Sequence, residues 1–161
     1  MKISFSGIPK KYIKIDNFVS RSAQPQKDDF VWLKEQGITD VINFRTKPNY
    51  GIDFNEEKEV KKLGMEFHNI PSYTRHPSLE NIKLFLNTID KIIEKNGKAH
   101  IHCKAGVDRT GMYAFSYKEN KHLGETQDNI KEWIILGHHI ELFPHLINDT
   151  LELLKKMKSD K

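Results

Sequence analysis

The chain has 161 residues, 37% of them hydrophobic and 30% charged, with a formal net charge of +4; this is the balance of one folded domain and excludes a disordered or fibrous protein. The modest positive surplus suits an anionic substrate, and a basic tail over residues 155–161 is a poor basis for nucleic-acid binding. A single cysteine excludes an intrachain disulfide and points to a reducing, cytoplasmic compartment; residues 1–8 are too short and polar for a secretory leader, and no apolar run is long enough for membrane insertion.

Strand and helix patterns alternate along the chain. Tyr12 to Ile15 reads as a short strand. Arg21-Ser22-Ala23-Gln24-Pro25 leads into a helix that opens at Asp28-Asp29 and stops at Gly37. Ile38 to Phe44 is an apolar, β-rich run, followed by a turn-rich loop over 46–53 and a charged helix from Asn55 to Leu63. Met65 to Ile70 is a further strand, ended by Pro71. Ser78 caps a long helix whose Ile82, Phe85, Leu86, Ile89, Ile92 and Ile93 share one face. Lys98 to His102 is again a strand, and two or three helices close the chain, over 110–123, 126–136 and about 142–158. Alternating βα units predict an α/β fold: a mainly parallel central sheet of four to five strands flanked by helices on both faces, with the site at the carboxyl ends of the strands.

Between the last strand and the next helix lies His102-Cys103-Lys104-Ala105-Gly106-Val107-Asp108-Arg109-Thr110-Gly111. Ordinary residue usage would yield this combination by accident less than about once in a thousand such chains. Each residue type suits a loop folded around a phosphate. Thiolate, not thiol, is the nucleophile, and a helix N-terminus with a fixed cation favours the thiolate. Gly106 permits a conformation in which successive amides of Lys104, Ala105, Gly106 and Val107 point inward as an anion nest. Lys104 adds positive charge at the rim. Arg109 offers a planar fork to two phosphate oxygens. The Thr110 hydroxyl can donate to sulfur and ease its departure. His102 is expected to orient the loop through hydrogen bonds, since a thiolate already formed needs no base. No cofactor is required, and no metal is expected: strand spacing sends His100 and Cys103 to opposite faces, and His138-His139 after Gly137 complement a helix end.

These residues resemble the signature loop of the cysteine-dependent protein tyrosine phosphatase superfamily. Placement late in a short α/β chain is similar to the dual-specificity branch, and the segments Arg21–Pro25 and Val41–Arg45 are similar to its compact bacterial members. The resemblance implies a single phosphatase domain over 1–161, with a core of about 12–155, hydrolysing phosphomonoesters through a phosphocysteine intermediate. It also implies a carboxylic acid on an earlier loop that protonates the leaving group. The corresponding segment here, Asn69 to Pro77, contains neither Asp nor Glu. Asp108, inside the loop, is the leading substitute, an arrangement similar to that of myotubularin-like and lipid-directed bacterial phosphatases; Asp53, His76 or no acid at all are the alternatives. Arg45 and Arg75 are candidates for contacting substrate, with a structural salt bridge or an exposed loop position as the plainer explanations. Arg21 and Ser22 could brace the loop, or simply form a helix-entry turn.

Three readings follow. The first is a tyrosine or dual-specificity phosphatase acting on a phosphorylated protein. The second is a phosphatase for inositol phosphates, phosphoinositides or pyrophosphates, toward which Asp108 points. The third is a phosphate-binding module without catalysis, disfavoured by the intact Cys103, Arg109 and Thr110. The substrate is thus a phosphorylated protein or small phosphorylated molecule, with no nucleic acid and no stable membrane association; the oligomeric state stays open.

Overall fold

The computed structural model describes residues 7–159. Residues 1–6, most of the stretch judged unlike a leader, and residues 160–161, the end of the basic tail, lie outside the described residues.

A five-stranded sheet runs in the order β1-β2-β5-β3-β4, built from β1 (Ile13–Lys14), β2 (Val19–Ser22), β3 (Asp40–Asn43), β4 (Glu66–Asn69) and β5 (Ala99–His102). Only β1 is antiparallel to its neighbour; β2, β5, β3 and β4 pair in parallel. The central strand is β5, whose His102 is level with Ser22 on one side and Asn43 on the other. All four parallel strands therefore discharge their carboxyl ends along one edge, where α/β sheets place their ligands.

Among the described residues six helices cover the sheet: α1 (Asp29–Glu35), α2 (Glu56–Lys62), α3 (Leu79–Glu94), α4 (Asp108–Asn120), α5 (Thr126–Ile135) and α6 (Leu146–Ser159). Two of them start on side-chain caps, Asn55 accepting from the Lys58 amide and Ser78 from the Asn81 amide. Alternation along β3 separates two cores. Val41 packs with Phe30, Leu33 and Val60 beneath α1 and α2. Its neighbour Ile42 packs with Ile101, Phe85, Ile89 and Tyr113 beneath α3 and α4. Each such side chain, fully buried, contributes about 1.5–3 kcal/mol. No described helix is long and apolar enough to cross a membrane.

The structure departs from the sequence expectation in three places. Val19–Ser22 is a strand, not a turn entering α1, and every residue of it is buried. Helix α4 begins at Asp108, so the acidic residue and Arg109 form its first turn. Helix α6 begins at Leu146, later than expected, because Pro144 supplies no amide donor and drives Phe143 away from helical geometry.

Candidate active site

The loop from Cys103 to Val107 leaves the end of β5 and enters α4 at Asp108. Its carbonyls are tied outward in succession. The Gln24 amide donates to the Lys104 carbonyl at 3.0 Å, Lys11 Nζ to the Ala105 carbonyl at 3.1 Å, and Arg21 Nη2 to the Gly106 carbonyl at 2.9 Å. Carbonyls held outward turn the peptide amides inward, and the Gly106 amide points at Cys103 Sγ, 3.3 Å away. Gly106 has φ +72°, and a Cβ there would lie 2.5 Å from the Ala23 nitrogen and 2.7 Å from the Ser22 carbonyl. Both the left-handed backbone and the close approach of β2 demand glycine.

Beneath the loop, buried polar groups fix β2 and β5. His100 is sandwiched between Ser20 Oγ and Ser22 Oγ, each 2.7 Å from one ring nitrogen. Ser22 donates its hydroxyl proton to the Ala23 carbonyl, so His100 Nε2 donates to Ser22 and Nδ1 accepts from Ser20. Burial holds the His100 imidazole well below its ordinary pKa, with the nearby His102 adding to the effect, consistent with this neutral tautomer. His102 lies 2.7 Å from Glu56 Oε2 through Nε2 and 3.1 Å from the Cys103 carbonyl through Nδ1. Glu56, fully buried on α2, also accepts from Gln24 and Asn43. Burial alone would raise its pKa, but the charge and hydrogen bond of His102, with those of Gln24 and Asn43, bring it below the ordinary value. With Glu56 ionised, His102 Nε2 donates to it, which ties the end of β5 to α2 beneath the loop. Nothing in the spacing of Glu56 revealed this partner of His102.

Above the loop lies a cavity of 280 Å³ lined by Cys103, Lys104, Ala105, Asp108 and Arg109 from the loop and α4, by Thr46, by Ser72, Tyr73 and Thr74 after β4, and by Phe143. Ser72 is anchored to Tyr113 by a 2.5 Å hydroxyl contact, and burial pushes the Tyr113 phenol up to about 12. The hydroxyl of Thr110, fully buried, has no hydrogen-bond partner among the described residues. An unsatisfied buried hydroxyl costs about 1–3 kcal/mol, and the Thr110 oxygen is thus free to bond to sulfur or a sulfur-bound group.

Cys103, Lys104, Ala105, Asp108 and Arg109 therefore share one cavity, and Gly106, Val107 and Thr110 form its frame. The remaining candidates are placed elsewhere. Arg45 donates to Gln24 Oε1 at 2.8 Å and to the carbonyls of Pro48 and Tyr50, so its guanidinium holds the loop after β3. Burial lowers its pKa, and the adjacent Arg109 charge lowers it further. Arg75 lies over the Phe143 ring, 5.9 Å from its centroid, and lines two neighbouring cavities. His76 belongs to one of these, and Asp53 is exposed outside the catalytic cavity.

Histidines 138 and 139 do something the helix-end explanation did not contain. Both approach Asp108: His138 Nδ1 is 2.7 Å from Oδ1, His139 Nδ1 is 2.7 Å from Oδ2, and the His139 amide donates to Oδ1 at 2.9 Å. Adjacent histidines after a glycine were visible in the sequence, but their partner lies 30 residues away and only the packing of α5 against α4 joins them. No group of three or more His, Cys, Asp or Glu among the described residues is arranged to hold a metal ion.

Known structures share this fold. TpbA of P. aeruginosa superposes with a TM-score of 0.72 at 16% identity, over 91% of this chain and 90% of its own. PTPMT1 superposes with a TM-score of 0.76 at 22% identity, over 92% and 97%. The tyrosine-protein phosphatase CDC14 of Saccharomyces cerevisiae is 34% identical over 55 residues, 30% of this chain and 10% of CDC14, so the chain spans about a tenth of that relative's length. A family model described as "polymorphic toxin system, DSP-PTPase phosphatase" matches residues 17–120, from the start of β2's approach to the end of α4. With that span covering more than half of the chain and taking in the cysteine loop and the four parallel strands β2 to β5, the chain belongs to the DSP-PTPase phosphatase family.

Proposed function

We propose that residues 1–161 work as one cysteine-dependent phosphatase domain acting through a phosphocysteine intermediate. The observation that carries this is the Cys103 sulfur under an inward-facing amide, in a cavity shared with Arg109 and Asp108. The thiolate attacks phosphorus; Arg109 and the amides of residues 104–109 hold the three equatorial oxygens as charge builds on them in the transition state. The leaving oxygen departs with a proton from Asp108, which lines the cavity where the earlier loop offers only Ser72, Tyr73 and Thr74. Water then attacks the phosphocysteine, and the unpartnered Thr110 hydroxyl stabilises the departing sulfur. Lys104 contributes charge at the rim, His102 positions the loop through Glu56, and Arg45 acts on its neighbouring loop instead of on substrate.

Two aromatic side chains on the cavity wall, Tyr73 and Phe143, favour an aryl phosphate such as phosphotyrosine, and TpbA has been solved in complex with phosphotyrosine. The second reading, an inositol phosphate or phosphoinositide, is supported by Asp108 inside the loop and by PTPMT1, solved with PI(5)P. A lone thiol without a resolving partner in the chain suits operation in the reducing cytoplasm.

An aryl phosphate assay with coloured product tests the activity. Wild type should turn over, Cys103→Ser should fall to background, and Arg109→Ala should lose about 10³-fold or more in kcat/KM, the scale of removing an electrostatic clamp. A substantial residual rate in Cys103→Ser refutes the assignment. Comparing phosphotyrosine peptides with inositol phosphates by kcat/KM then separates the two substrate readings.

A further inference from the structure

The Asp108 carboxylate is surrounded by three donors. Its Oδ1 receives His138 Nδ1 and the His139 amide, and its Oδ2 receives His139 Nδ1, all within 2.9 Å. Burial on its own would favour the neutral acid, but the hydrogen bonds from His139 and His138 outweigh it and hold the carboxyl below the usual carboxylate range. A carboxylate held in this way does not keep a proton of its own to give at neutral pH. Imidazole is the side chain that does.

We propose that His138 and His139 form a proton store for Asp108, His139 supplying and taking back the carboxyl's proton while His138 fixes its orientation. The two rings are placed for different tasks. The His138 side chain is 1% exposed and its ring lies 5.0 Å from that of Trp133, whose edge in turn presses on Gly111 of α4. The His139 side chain is 50% exposed, so it exchanges protons with water while Nδ1 touches the buried carboxylate. Gly137, with φ +106°, makes the turn after α5 that lets consecutive histidines reach the same carboxylate. On its cavity side the unit faces Cys103, Lys104 and Arg109; on the α5 side it meets the uncharged Trp133.

The proposal rests on the phosphatase reading and deepens it. The unit carries one transferable proton on the hydrogen bond between His139 Nδ1 and Asp108 Oδ2. As the S–P bond forms and the P–O bond breaks, that one proton passes from His139 Nδ1 to the Asp108 carboxyl and from there to the leaving oxygen, so that Asp108 ends ionised and Nδ1 bare. In the second step the water oxygen bonds to phosphorus and the P–S bond breaks with its electron pair returning to sulfur. The water's proton passes to Asp108 and on to His139 Nδ1. The cycle closes with no net proton change on the unit. His139 is accordingly a positioning and proton-supplying residue acting through Asp108, not one that touches substrate.

The test compares kcat/KM on p-nitrophenyl phosphate, whose leaving group needs little protonation, with that on a simple alkyl phosphate, across pH 5 to 9, for wild type, Asp108→Asn and His139→Gln. His139 is half exposed, so its replacement is compatible with folding. The ratio of alkyl to aryl rates should fall at least about tenfold at pH 7 in His139→Gln and further in Asp108→Asn, the scale of positioned acid catalysis. The alkaline limb of the alkyl profile should move down by about one pH unit or more in His139→Gln, because the carboxyl then titrates without its imidazole supply. Equal losses on both substrates with an unmoved limb overturn the proton store and leave the phosphatase reading standing. Failure of wild type to hydrolyse either ester overturns both.

Discussion

Replacing Glu56 by Gln probes whether the charge beneath the loop is structural. The carboxylate is fully buried and takes three hydrogen bonds, from Gln24 at 2.7 Å, Asn43 at 3.2 Å and His102 at 2.7 Å. Glutamine preserves the shape but turns one acceptor into a donor, which must face a donor already present. One charge-assisted hydrogen bond is lost, at about 1.5–3 kcal/mol, and a buried donor is left facing another donor, at about 1–3 kcal/mol. With some relaxation around the site, the expected destabilisation is about 2–4 kcal/mol, or a midpoint shift of about 1–2 M in a urea titration with a slope near 2 kcal/mol/M. The pH dependence gives a sharper reading. The Glu56 pKa is lowered in the folded chain. Its stabilisation is therefore complete above the unfolded value of about 4.3 and disappears as pH falls through the folded value. Wild type should lose stability steeply over that acid window and Glu56→Gln should lose less. Parallel stability curves for the two proteins below pH 5 would refute the reasoning.

Two further substitutions test the frame of the loop. Gly106→Ala must accommodate a left-handed backbone, at about 1–2 kcal/mol, and a Cβ against the backbone of residues 22 and 23, at about 1–3 kcal/mol. Because the Gly106 amide points at Cys103 Sγ, kcat on an aryl phosphate should drop by about 10²-fold or more, as when one oxyanion donor is displaced; a near-native kcat would show that this amide is not required. Arg21→Met keeps the buried stem of Arg21 but deprives the Gly106 carbonyl of its donor. It should lower kcat about tenfold, the equivalent of one hydrogen bond near 1.4 kcal/mol, with little change in KM; a change in KM alone would place Arg21 in binding instead of in loop geometry.

The loop from Cys103 to Arg109 and most of the elements that carry it were legible in the order of residues, because their causes are local. Cys103, Gly106, Arg109 and Thr110 act within a few positions of one another, the apolar stripe from Ile82 to Ile93 repeats at the helical period, and Ser78 caps the turn beside it. The βα alternation sufficed to predict a parallel sheet with its site at the carboxyl ends. Strand β2 escaped that pattern because Ser20, Arg21 and Ser22 carry no apolar alternation. Their burial is tolerated only because His100 and the Gly106 carbonyl, far along the chain, complete their hydrogen bonds. The same kind of distance hid Glu56 under His102, sent Arg45 to its own loop, and joined His138 and His139 to Asp108. A sequence states which groups are present and which neighbours they have on the backbone. Whether a carboxylate is ionised, or a buried hydroxyl satisfied, depends on donors that only chain folding brings within 3 Å, and tertiary structure alone decides that.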